Sequence, residues 1–124
     1  MDGWLLASGA VAGVTALIHV IAGGPDVVRA LLGSTLPDEP MRTLHAVWHF
    51  VTADLLLSAV ALLGLGLYPE SNAPLVLFIV AHFLAYAAAF VVVTLRAEWS
   101  RPLLRLPQWM LLLPVAILAA AGTV

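Results

Sequence analysis

Two histidines four residues apart, His45 and His49 in the stretch LHAVWHF, are the first candidates for chemistry in this chain. On an α-helix this spacing places both imidazole rings on one face, one turn or roughly 6 Å apart. Imidazole nitrogen suits zinc, copper, iron or nickel, and a residue from a neighbouring helix can complete such a site. We predict that His19 does so. The expected cofactor is a transition metal ion, or haem b with histidines on both sides of the iron.

A second polar group is predicted deeper in the same apolar surroundings. Asp54 follows His45 by nine residues, which is about 13 Å along a helix axis. His82 and Tyr86 are four residues apart and share a helical face. Ionisable side chains within hydrocarbon cost about 2.5–3.5 kcal/mol or more, so they are rare and usually functional. We predict that Asp54, His82 and Tyr86 form a proton-handling group or a structural one that fixes helix packing.

The elements that carry these side chains are long apolar stretches. The chain has 124 residues, of which 63% are hydrophobic and 10% charged, whereas soluble domains have about 25% charged residues. The stretches approach the ~17–25 residues that cross a bilayer as a helix. Period-two alternation is absent, so helices are expected. We predict one all-α integral membrane domain, an antiparallel bundle of four transmembrane helices at about 4–22, 46–68, 75–95 and 109–123.

The positive charges predict the orientation of this bundle. All five are arginines, and they fall in the first and third loops, whereas the loop at 69–74 has none. Positively charged loops stay in the cytoplasm, so we expect both termini outside and a multi-pass protein of a bacterial-type inner (plasma) membrane. We place the arginines at the membrane surface: Arg29, Arg42, Arg96, Arg101 and Arg105. In the first loop, PDVVRALLGS predicts a short interfacial helix at about 26–33, separated from the first span by AGGPD.

Small residues spaced four apart indicate where helices approach closely. The first span contains Gly9 and Gly13, and the third contains Ala81, Ala85 and Ala89. The neighbour can belong to the same chain or to another one. The expected partners are therefore the lipid bilayer and either a second copy of the chain or a larger membrane complex.

Several functions find no basis in the sequence. There are no cysteines, which excludes disulfides and thiolate metal sites. No nucleophile-elbow or phosphate-loop motif is present, and no basic patch predicts nucleic-acid binding.

Three hypotheses about the function remain open. In the first, the protein carries a buried histidine site that binds a metal or haem for transport or electron transfer. In the second, it is a cofactor-free accessory subunit of a larger membrane complex. In the third, it is a proton-coupled carrier or membrane enzyme for a lipophilic substrate, acting through Asp54 and His82.

Overall fold

The described part of the computed structural model, residues 1–68 and 72–123, folds into helices without strands. This confirms the all-helical prediction for those residues; residues 69–71 of the second loop lie outside them. Three helical stretches are long and apolar enough to cross a membrane: Gly3–Leu32, Asp38–Leu67 and Ala73–Arg96. In chain order the elements are α1 (Gly3–Ile21), a π-helical turn (Gly24–Val28), α2 (Arg29–Leu32), α3 (Asp38–Leu67), α4 (Ala73–Arg96), α5 (Pro102–Arg105) and α6 (Trp109–Ala121).

The start of α1 is fixed by Asp2. Its side chain accepts hydrogen bonds from the backbone N–H groups of Trp4 and Leu5, at 2.8 and 3.0 Å. These are donors that a helix start otherwise leaves unsatisfied. The Asp2 backbone N–H in turn donates to the carbonyl of Gly66 at 2.8 Å. The beginning of α1 is thereby tied to the end of α3.

The predicted break after the first span does not occur. Ala22 and Gly23 keep right-handed helical backbone angles, and the chain continues through the π-helical turn into α2. In that turn the Arg29 N–H bonds to the carbonyl of Gly24, five residues earlier. Proline lacks an N–H and crowds the preceding turn of a helix, and the wider π turn accommodates Pro25. The segment predicted as a separate surface helix is thus a continuation of α1.

Helix α3 begins about two turns earlier than the apolar run predicted. Pro37 precedes it, Pro40 lies in its first turn, and Asp38 and Glu39 add acidic residues there. Proline and acidic side chains are favoured at this end of a helix, because its first N–H groups are unpaired. His45 therefore lies inside a 30-residue helix and not at its start.

The most extensive helix packing occurs between α1 and α3, between α4 and α6, and between α1 and α6. Gly9 of α1 packs against Leu63, and Gly66 of α3 packs against Leu6; a Cβ on either glycine would lie within 3.0 Å of its neighbour. The Ser8 hydroxyl donates to the carbonyl of Val115 on α6 at 2.8 Å. The core between these helices consists of Leu5, Ala12, Ala16, Leu55, Ala59, Leu62, Val76, Ile79, Phe83, Ala87, Leu112, Val115, Ala116 and Ala119.

The small-residue positions predicted for packing divide into two kinds. Gly9 is buried at the α1–α3 contact, whereas a Cβ on Gly13 would meet nothing within 4 Å. Ala81, Ala85 and Ala89 are all exposed within the single chain. Only Gly9 among them therefore draws two helices of this chain together.

Candidate functional site

His45 and His49 lie side by side on α3. Their Nε2 atoms are 3.2 Å apart and their ring centroids 4.8 Å apart. A hydrogen bond at this distance requires one ring to donate its N–H and the other to accept with a bare nitrogen. His45 is partly buried and His49 is exposed. The predicted pairing on one helical face is present, on the outer side of the bundle.

His19 makes different contacts. Its Nε2 lies 3.1 Å from the hydroxyl oxygen of Thr52, and its ring stacks on Trp48 with centroids 3.8 Å apart and an interplanar angle of 18°. The far edge of the Trp48 ring packs against Gly23, where a Cβ would collide with it. These contacts hold the His19 ring between α1 and α3.

The three histidines consequently do not form the common site that we predicted. Within residues 1–68 and 72–123, no group of three or more His, Asp or Glu side chains is arranged to hold a metal ion. Haem binding stays a prediction; in this structure the Nε2 of His19 is hydrogen-bonded to the Thr52 hydroxyl. The spacing of the histidines did not reveal that Trp48, on the same face of α3, would occupy the space beside His19.

Asp54 and His82 meet between α3 and α4. The Asp54 Oδ2 and the His82 Nε2 are 3.2 Å apart, and each side chain is 26% exposed. Neither atom has a hydrogen-bond partner, although both are shielded from solvent. His82 also contacts the Tyr86 ring edge-on, with centroids 4.4 Å apart. The structure thus brings the three residues of the second predicted group together.

A half-open cavity of about 780 Å³ lies at one end of the bundle. It lies where α1 ends, α3 begins, α4 ends and α6 begins, and the helical continuation of α1 forms part of its wall. Most of the lining is apolar. The residues that line it and carry the argument below are Thr15, His19, Asp26, Tyr86, Ala89 and Gln108.

Three of these polar residues already have contacts. The Thr15 hydroxyl donates to the carbonyl of Val11 at 2.8 Å, His19 bonds to Thr52, and Tyr86 packs on His82. Gln108 is different, because its Oε1 is shielded from solvent and has no hydrogen-bond partner. Sequence reasoning did not single out Gln108. The available signal was an uncharged polar residue immediately before the last apolar run.

The arginines predicted at the membrane surface are all exposed. Arg42 pairs with Asp38 one turn away, with Nε and Oδ1 3.2 Å apart. The Arg105 guanidinium lies over the Trp99 ring, 4.7 Å from its centroid. Neither of these arginines, nor Arg29, Arg96 or Arg101, lines the cavity.

Comparisons with known proteins found no relative of this chain. No family model matches the chain, and no curated protein or solved structure matches it.

Proposed function

We propose that this chain is a multi-pass membrane protein that binds a lipophilic molecule inside its helix bundle. The observation that carries the proposal is the cavity of about 780 Å³ with its mainly apolar lining and few polar groups. Small-molecule sites are typically concave spaces of roughly 300–1,000 Å³ with this kind of wall. The third hypothesis from the sequence already included a lipophilic substrate, and the cavity is the structural feature that supports such a ligand.

The proposed setting is a bacterial-type inner membrane, crossed four times with both termini outside. Three long apolar helices support a membrane location. For the fourth crossing, α6 has 13 residues, or roughly 20 Å, against a hydrocarbon thickness of about 30 Å. Its packing along both α1 and α4 supports the crossing. In this orientation the cavity lies in the cytoplasmic half of the bundle, with the five arginines on the same side.

A pair of alanine substitutions on α4 tests the proposal. Ala89 lines the cavity, whereas its neighbour Ala88 is exposed elsewhere on the helix. An indole at residue 89 fills part of the cavity, and the same group at residue 88 adds bulk outside it. We expect Ala89→Trp to weaken binding of a fluorescent long-chain alcohol at least about tenfold, a loss of roughly 1.4 kcal/mol. Ala88→Trp leaves it unchanged.

The measurement is a fluorescence titration of the purified protein in a non-ionic detergent, with empty micelles as the reference. The wild type is expected to show saturable binding of one probe per chain. Probe that partitions equally into empty micelles and protein, or equal affinity in the wild type and Ala89→Trp, would remove the basis of the proposal.

A further inference from the structure

The charges around the cavity constrain its ligand, an inference that rests on the function just proposed. Among the described residues that line it, Asp26 alone carries a formal charge, and it is negative. Lipophiles with a carboxylate or phosphate need arginine, lysine or several N–H donors to offset the loss of water around the charge. The arginines nearest in sequence to the lining are engaged or exposed outside it. An anionic headgroup is therefore disfavoured.

The hydrogen-bonding groups then indicate what the headgroup is. Among the described residues that line the cavity, Gln108 has an acceptor, its Oε1, that is shielded from solvent and has no hydrogen-bond partner. An unpaired buried carbonyl oxygen is unfavourable, and a donor that reaches it removes that cost. Gln108 lines the cavity, and the last torsion of a glutamine side chain is soft, so rotation about it can bring this oxygen to a ligand there. The missing partner is an O–H or N–H donor.

We propose that the cavity selects an uncharged lipophile with a hydroxyl group, an alcohol or phenol, and that Gln108 accepts a hydrogen bond from it. The headgroup lies between Gln108 and the π-helical turn. The apolar body extends along the inner faces of α3 and α4 toward Tyr86. Gln108 is thereby the residue that determines specificity, while the apolar wall provides most of the affinity.

Three probes with the same alkyl chain separate headgroup recognition from apolar binding: hexadecanol, its methyl ether and hexadecanoate. Each competes with the fluorescent alcohol on the wild-type protein at a pH where the acid is ionised. We expect hexadecanol to bind about five- to tenfold more tightly than the ether, which cannot donate, since one neutral hydrogen bond corresponds to such a factor. Hexadecanoate is expected to bind at least tenfold more weakly than the alcohol, because it brings an uncompensated charge.

The substitution Gln108→Leu is expected to bring hexadecanol down to the affinity of the ether while leaving the ether unchanged. The wild-type comparison does not depend on this variant, so the inference can be tested even if the variant fails to fold. Equal binding of the three probes to the wild type, or tighter binding of the acid, overturns the inference and leaves the proposed function in place. Retention of the alcohol preference by a folded Gln108→Leu protein also overturns it. Absence of saturable binding for every probe removes the proposed function itself.

Discussion

The two ends of this helix bundle are built differently. At the end where α1 begins, Gly9, Gly66 and Gly122 each contact a leucine so closely that a Cβ would come within 3.0 Å of it. At the other end, α3 contributes no buried residue before Leu55, which is its eighteenth. That end contains the cavity.

The difference follows from which side chains lie between α1 and α3. Lipid gives helices no hydrophobic reason to associate, so close approach depends on the fit of small residues. Where glycines face leucines, the backbones come together. Four turns further along, Trp48 stacks on His19 and reaches Gly23. The indole and imidazole rings act as a spacer, and the space beyond them remains open.

A larger side chain at the packed end is expected to have the largest effect on the free energy of unfolding. In Gly9→Leu the new side chain meets the backbone nitrogen of Leu63, which cannot rotate away as a side chain does. Overpacking of this kind costs about 1–3 kcal/mol, and we expect the upper end of that range. The matched control is Gly13→Leu, because that glycine borders open space. Reversible unfolding in mixed micelles measures both variants, and equal losses in the two would show that Gly9 is not a close contact.

Removing the spacer at the open end is expected to cost less. Trp48→Ala loses the stacking on His19, and aromatic pairs of this kind contribute about 0.5–1.5 kcal/mol. It also lets α1 and α3 approach, so probe binding in the cavity should fall together with stability. The control is Trp99→Ala, whose ring packs beneath Arg105 outside the cavity. If Trp48→Ala lowers stability but leaves probe affinity unchanged, the ring does not hold the cavity open.

The smallest expected effect concerns the contact between Asp54 and His82. Polar contacts between membrane helices contribute about 0.6 kcal/mol on average, and neither Asp54 Oδ2 nor His82 Nε2 has a hydrogen-bond partner here. A double-mutant cycle with Asp54→Asn and His82→Gln should therefore give a coupling free energy of about 0.6 kcal/mol. The cycle is measured by unfolding at two pH values. A coupling well above about 1.7 kcal/mol, the upper end for such contacts, or one that changes strongly with pH, would favour the proton-handling hypothesis over the structural one.

The sequence predicted the parts of the fold that depend on the length and polarity of continuous stretches. The bounds of α4 lie within two residues of the prediction, because its apolar run lies between the predicted loop at 69–74 and Arg96. The first turns of α3 were not predicted, because they lie before the apolar run from which the helix was inferred. Pro37 and Asp38 are nevertheless helix-start signals in their own right. Continuity through Pro25 could not be read from composition, because a π turn depends on local backbone geometry.

The candidate site was less accessible to prediction, for a physical reason. Helical spacing fixes which residues of one helix share a face, so the contact of His45 with His49 follows from it. It does not fix how two helices are rotated against each other, and that rotation decides that His19 meets Trp48 and Thr52. A cavity is space that side chains do not fill, so the spacing of residues along the sequence does not predict it.

The length of α3 has a consequence for how a ligand arrives. Its 30 residues extend roughly 45 Å, about half as long again as the hydrocarbon layer. In the proposed orientation the surplus places the charged first turn, with Asp38 and Arg42, among the lipid headgroups. The α3 wall of the cavity starts only two residues beyond Arg42, at Leu44. For the lipophilic ligand proposed above, we therefore expect sideways entry from the leaflet at the headgroup boundary, so that its concentration in the lipid and not in water sets the occupancy.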